Sequence, residues 1–174
     1  LRIYYYLFFK TMDNYNNQIY KALDIFLKGF VIFVNENCQK YLGDNWIKLA
    51  KDFYFQSKNL ELKTKDKKIR WDIYKITNFV LIEQCRNRVF NNTFDTIAYD
   101  LIKLINKVRN YVSHQEYDGI KTLNSITLDR AIHFVDAMIL ISNQIGNKNQ
   151  SNELSLIKKE LIPDDNERLN NFIE

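Results

Sequence analysis

The 174-residue sequence has few residues that interrupt helices or cross-link chains: four glycines, one proline and two cysteines. So little glycine and proline excludes collagen-like and low-complexity chains, and it disfavours turn-rich all-β folds. The cysteines, Cys38 and Cys85, lie 47 positions apart with no CxxC motif, which disfavours a disulfide framework or a zinc site. Free buried thiols in a reducing compartment are the expectation, and they predict a cytoplasmic protein.

Long hydrophobic runs are also absent. No segment reaches the roughly 18 apolar residues of a membrane span, so no membrane contact is expected. The composition, 46% hydrophobic and 14% aromatic, is that of a globular domain with one core. The chain starts with Leu1, and Met12 resembles a native start. We therefore expect residues 1–11 to lie upstream of the natural protein, or the chain to be a fragment.

The positive charge is confined to one polar segment. The net charge is +4, and residues 58–70 hold six basic and two acidic groups, which alone give +4. Elsewhere 19 basic groups balance 19 acidic ones. A solvated loop is the simpler interpretation of this segment, and a phosphate-contacting arm is the functional one. The candidate RNA-binding residues are Lys63, Lys65, Lys67, Lys68 and Arg70.

Apolar residues recur at spacings of three and four along most of the chain, which predicts an all-α bundle of four main helices plus short helices. Gly29, inside the first helix, indicates a close helix–helix approach, which could lie at a dimer contact. Trp71 and Tyr74 are interpreted as core residues.

The helical domain is predicted over 12–146, and a polar linker with short amphipathic tail helices over 147–174. The predicted helices cover 14–42, 45–56, 70–86, 94–115 and 127–145, with a loop over 57–69, a connection over 86–93 and a linker over 147–152.

Three polar residues crowd the end of the helix predicted over 94–115: Arg109, Asn110 and His114. At about 100° per residue, Arg109 and His114 fall outside the apolar stripe centred on Val108, while Asn110 and His114 share a face. An imidazole can move a proton near neutral pH, and a guanidinium can hold a phosphate. The group therefore suits phosphodiester cleavage. The spacing by itself has a simpler explanation. These residues could form a solvated helix end whose cations lie near the negative pole of the helix dipole.

The pattern Arg-Asn-x-x-x-His near the end of a helix in a small all-α domain resembles the signature of the HEPN superfamily. The resemblance covers about 15–146, and the segment Gly43-Asp44-Asn45-Trp46 resembles a prokaryotic subgroup of nuclease and defence proteins. It implies a HEPN-like helical bundle. It also implies a homodimer in which two motif helices form one composite cleft.

The same resemblance implies an RNA endonuclease that needs no metal and no cofactor, acting as a toxin or antiviral defence effector. Arg109 would bind the scissile phosphate, His114 would act as general acid and base, and Asn110 would orient them. The RNA 2′-OH would attack, leaving a 2′,3′-cyclic phosphate and a 5′-hydroxyl. An antitoxin or a regulatory partner domain would mask the cleft.

Other functions stay open at the level of sequence. The domain could be a catalytically inactive dimerisation or RNA-binding adaptor of a larger defence protein. One class of HEPN toxins carries a tyrosine two residues after the histidine, whereas here Tyr117 comes one residue later, which disfavours that class. His133 lies near Asp129 and Asp136 on one helix, but a solvated face explains these residues better than a metal site does.

Overall fold

The computed structural model describes residues 2–113 and 126–162. Within them, seven α-helices and one π-helical turn surround a common core, and the only strands form a two-stranded hairpin, which confirms the all-α prediction. No helix of this described part is long and apolar enough to cross a membrane. The elements are α1 (Arg2–Leu42), α2 (Trp46–Lys58), β1 (Thr64–Lys65), β2 (Lys68–Ile69), α3 (Ile73–Leu81), α4 (Glu83–Cys85), the π turn (Arg86–Phe90), α5 (Thr96–Ser113), α6 (Leu128–Gln144) and α7 (Lys148–Leu161).

The long helices form because their apolar stripes meet in one core. Ile19, Phe26, Phe30 and Val34 of α1 are fully buried, as the spacing predicts. α1 begins at Arg2, earlier than the predicted position 14, and it ends where Gly43 adopts a φ of 71°. In the packing of the bundle, α5 lies between α3 and α6, and α7 lies between α6 and α1.

The predicted loop over 57–69 is wrong in part, because its second half is an antiparallel hairpin. Thr64 pairs with Ile69 and Lys65 with Lys68, and Asp66 and Lys67 form the turn with φ values of 52° and 57°. Two central residues with positive φ are typical of a type I′ turn, whose twist matches that of the strands. Residues 64–69 of the basic segment therefore form an ordered ribbon.

The helix predicted over 70–86 is wrong in its length. α3 ends at Leu81, Ile82 is extended with ψ at 133°, and the chain then forms α4 and the π turn. The connection predicted over 86–93 is thus helical up to Phe90. A π turn contains one residue more than an α-helical turn. A search for apolar residues at 3.6 residues per turn therefore does not detect it.

The polar linker predicted over 147–152 is also wrong, because these residues cap and begin α7. Asn147 caps the helix by accepting a hydrogen bond from the Gln150 backbone at 3.1 Å. Gln150 and Ser151 are buried despite their polarity. The Gln150 side-chain amide donates to the carbonyls of Ile25 and Phe26 at 2.6 and 2.9 Å. α7 therefore packs on the bundle.

Gly29 makes the close approach that the sequence predicts, but the partner is α7 of the same chain. A Cβ atom at this position would collide with the Gln150 amide and come within 2.5 Å of Asn147 Nδ2. The contact thus lies inside the fold, and the interpretation of Gly29 as a dimer contact is wrong.

Candidate functional site

Arg109 lies near the end of α5, directly after the fully buried Val108. Its own side chain is exposed, which agrees with its predicted position outside the apolar stripe. The guanidinium carbon lies 5.7 Å from the centre of the Tyr74 ring, on the first turn of α3. A cation within about 6 Å of an aromatic face is attracted by the ring's quadrupole. Tyr74 therefore helps to position the guanidinium.

The turn that carries Tyr74 is fixed by local bonds. Asp72 caps α3 by accepting from the Lys75 backbone N–H at 2.8 Å, and it pairs with the Lys75 amine at 2.9 Å. One turn further along, the Asn106 amide of α5 donates to the Thr77 hydroxyl at 2.8 Å. These contacts set the register of α5 against α3, so Arg109 faces the beginning of α3.

A buried tyrosine lies behind this turn. The Tyr54 hydroxyl is buried and makes no hydrogen bond within the described part of the chain. Burial raises the pKa of Tyr54 to about 12, with smaller contributions from Tyr74 and Asp72. The phenol of Tyr54 therefore keeps its proton well into the alkaline range.

The other two residues of the predicted motif can be placed only by chain position. Asn110 follows Arg109 on α5, but its side chain lies outside the described residues. His114 also lies outside them, as do Glu116 and Tyr117. The shared face predicted for Asn110 and His114 therefore remains a prediction.

The basic hairpin leads directly into the turn that faces Arg109. Leu62 and Ile69 are buried and anchor its base. The Arg70 backbone N–H donates to the Lys63 carbonyl at 2.8 Å. The candidate side chains of Lys63, Lys65, Lys67, Lys68 and Arg70 are all exposed. Arg70 and Tyr74 are four residues apart, so their Cα atoms lie at most about 14 Å apart. The hairpin thus precedes, by three residues along the chain, the helix whose first turn Arg109 faces.

Trp71 is a packing residue, as predicted. Its indole N–H donates to Asn35 Oδ1 of α1 at 2.9 Å, and its ring lies 5.1 Å from that of Phe79. Tyr74 differs from the prediction in part, because its half-buried ring also contacts Arg109. In the sequence, the one feature that points to this contact is the position of Tyr74, four residues after the basic segment ends at Arg70.

The group around His133 does not form a metal site in the described part of the chain, where no three potential ligands cluster. His133 is exposed on α6. Asp136 instead pairs with the Lys158 amine of α7 at 2.7 Å. That ion pair ties α7 to α6.

Comparison with protein families supports the same assignment as the motif. The family described as Swt1-like HEPN matches residues 21–146. The match contains α2 to α6, the basic hairpin and all three motif residues. Searches among curated proteins and solved structures found no match. Because the matched region spans well over half of the chain, this protein belongs to the Swt1-like HEPN family.

Proposed function

We propose that the protein is a metal-independent RNA endonuclease that acts as a toxin or antiviral defence effector. Family membership supports an RNase-like or an adaptor role. The observation that favours catalysis is the placement of Arg109, whose exposed guanidinium is held over the Tyr74 ring. A cation in this position can bind a phosphate and stabilise the charge that it gains in the transition state.

In the proposed reaction, Arg109 holds the scissile phosphate. His114 takes the proton from the 2′-OH, and the 2′ oxygen forms a bond to phosphorus. The bond from phosphorus to the 5′ oxygen breaks, and an imidazolium returns a proton to that leaving oxygen. The products are a 2′,3′-cyclic phosphate and a 5′-hydroxyl. The guanidinium supplies the positive charge, so this route needs no divalent metal ion.

The functional unit is proposed to be a homodimer. Two copies of the motif helix would meet, so that Arg109 and His114 of both protomers share one cleft. Asn110, next to Arg109 on α5, would orient the reacting groups. An antitoxin or a regulatory domain that covers this cleft would control the activity. A dimer in which the two Arg109 residues lie on opposite outer faces would exclude the composite site.

The test is RNA cleavage in excess EDTA by the purified protein and its variants. Arg109→Ala and His114→Ala are each expected to lower the cleavage rate at least about a hundredfold, since a single charge-stabilising group commonly contributes that much. Arg130→Ala is the matched control, because Arg130 is an exposed arginine on the first turn of α6. Full activity in both motif variants would remove the assignment. A dimer that binds RNA without cutting it would be an adaptor instead.

A further inference from the structure

Two lysines face each other across the hairpin. Lys65 and Lys68 are direct partners in the antiparallel register, so their side chains lie on the same face of the ribbon. Like charges directly opposite one another destabilise a strand pair. A short two-stranded ribbon has few other interactions to offset that repulsion. The pair thus lowers the stability of the hairpin that carries it.

A third lysine is held in an unfavourable backbone conformation. Lys67 has a φ of 57°, in the left-handed region, at the second central position of the turn. Glycine is the preferred residue there, because a Cβ atom in this conformation approaches the neighbouring carbonyl. Asp66 occupies the first central position, and aspartate tolerates the left-handed region better than lysine does. The turn therefore keeps a lysine where a glycine would be more stable.

These lysine amines have no acidic partner among the residues that the structure describes. None of the ion pairs there involves Lys65, Lys67 or Lys68. Asp66 is the one carboxylate in the turn itself, and Glu36 of α1 borders the same surface pocket as Lys68. Ile69, which alternates with Lys68 along the strand, is buried against the bundle. The Lys65–Lys68 face is therefore opposite the side of the ribbon that carries Ile69, and both lysines are exposed.

We propose that the tip formed by Lys65, Lys67 and Lys68 is a phosphate-binding element that holds neighbouring phosphates of an RNA backbone. A bound polyanion would relieve the repulsion between Lys65 and Lys68. The ordered turn fixes the backbone of the three lysines before binding, so less conformational entropy is lost than in a flexible loop. Contacts to phosphates carry no sequence information, so the tip binds RNA of any sequence. The identity of the ligand rests on the proposed function.

Two substitutions test the inference, because they should change stability and affinity in opposite directions. Lys67→Gly removes the backbone strain, and Lys65→Thr removes the like-charge pair. Each is expected to raise Tm by about 2–4 °C, the shift that a modest local stabilisation gives in a chain of this size. Each should also weaken binding about fivefold at 0.1 M salt and lower the salt slope by about 0.7, the contribution of one phosphate contact to a single strand.

Binding is measured on 2′-O-methyl RNA, which lacks the attacking hydroxyl, so the result does not depend on cleavage. Lys159→Gln removes a matched exposed charge from α7 and should leave affinity unchanged. Unchanged affinity in both tip variants, or a Tm that does not rise, overturns the inference. So does a wild-type protein that binds phosphatidylserine vesicles and no RNA.

The two proposals fail separately. If Arg109→Ala cuts RNA as fast as the wild type while the tip variants bind weakly, the catalytic assignment fails and the phosphate-binding tip stands. If Arg109→Ala is inactive while the tip variants bind with wild-type affinity, the tip fails and the nuclease stands.

Discussion

The guanidinium of Arg109 is placed over the ring of Tyr74, with 5.7 Å between the guanidinium carbon and the ring centre. This contact joins the motif helix α5 to the first turn of α3, which begins four residues after the last strand residue of the basic hairpin. An aromatic face orients a cation without neutralising its charge, unlike a carboxylate. The contact with Tyr74 therefore orients the guanidinium and leaves its charge in place.

Replacing Tyr74 by leucine should reduce RNA cleavage while leaving the fold intact. The ring contributes about 0.5–1 kcal/mol to holding an exposed cation, so the cleavage rate should fall roughly two- to fivefold. Tyr74→Phe keeps the aromatic face and should retain the wild-type rate. The measurement is the single-turnover cleavage rate of each variant. Equal losses in both would show that the hydroxyl, and not the ring, matters.

Replacing Gly29 by alanine should destabilise the protein, although alanine favours helices by about 1 kcal/mol. The new methyl group would collide with the Gln150 amide. That amide cannot easily turn away, because it also accepts a hydrogen bond from the Ser142 hydroxyl at 2.9 Å. Overpacking of this kind costs about 1–3 kcal/mol of unfolding free energy, which urea denaturation measures.

A second substitution separates this collision from other effects. In a Gln150→Ala background the collision with that amide is gone and the approach to Asn147 Nδ2 remains, so Gly29→Ala should destabilise the protein less than it does in the wild type. If Gly29→Ala destabilised both backgrounds equally, the Gln150 amide would not be the group that the new methyl meets.

Stability should fall at alkaline pH because two thiols are buried. Burial raises the pKa of Cys38 from 9.0 to about 12, and it raises the pKa of Cys85 as well. In the unfolded chain these thiols lose their protons above about pH 9, whereas in the folded protein they stay neutral. Their contribution to stability is therefore complete below pH 9 and is lost between pH 9 and about 12.

Urea unfolding at half-unit steps from pH 7.5 to 10.5 measures this effect. Each thiol can contribute a slope of up to about 1.4 kcal/mol per pH unit. Cys38→Ala should be less stable at every pH, because it leaves a cavity, but its stability should fall less steeply. An identical slope in the variant would mean that Cys38 ionises normally in the folded protein.

Helical periodicity was sufficient to predict the fold, because the apolar stripes of α1, α5 and α6 are long and regular. Periodicity did not predict the buried polar residues of α7 or the charged residues that form the hairpin. Gln150 looks like a linker residue until its partners Ser142 and Phe26 are known. Asp66-Lys67 is not the usual Asn-Gly signal of a type I′ turn, so the hairpin could not be distinguished from a loop.

The candidate site was predictable in part. The position of Arg109 outside the apolar stripe follows from its spacing to Val108 alone. Its contact with Tyr74 depends on how α3 packs against α5, and no local pattern encodes that register.

The chemistry of the RNA ends tests the central claim most directly. The wild-type protein is incubated with RNA in excess EDTA, and the mass of the product termini is measured. Attack by the 2′-OH under the control of Arg109 and His114 predicts a 2′,3′-cyclic phosphate on one fragment and a 5′-hydroxyl on the other. Products that carry a 3′-hydroxyl and a 5′-phosphate, or RNA that remains uncut at an excess of protein, would contradict the account.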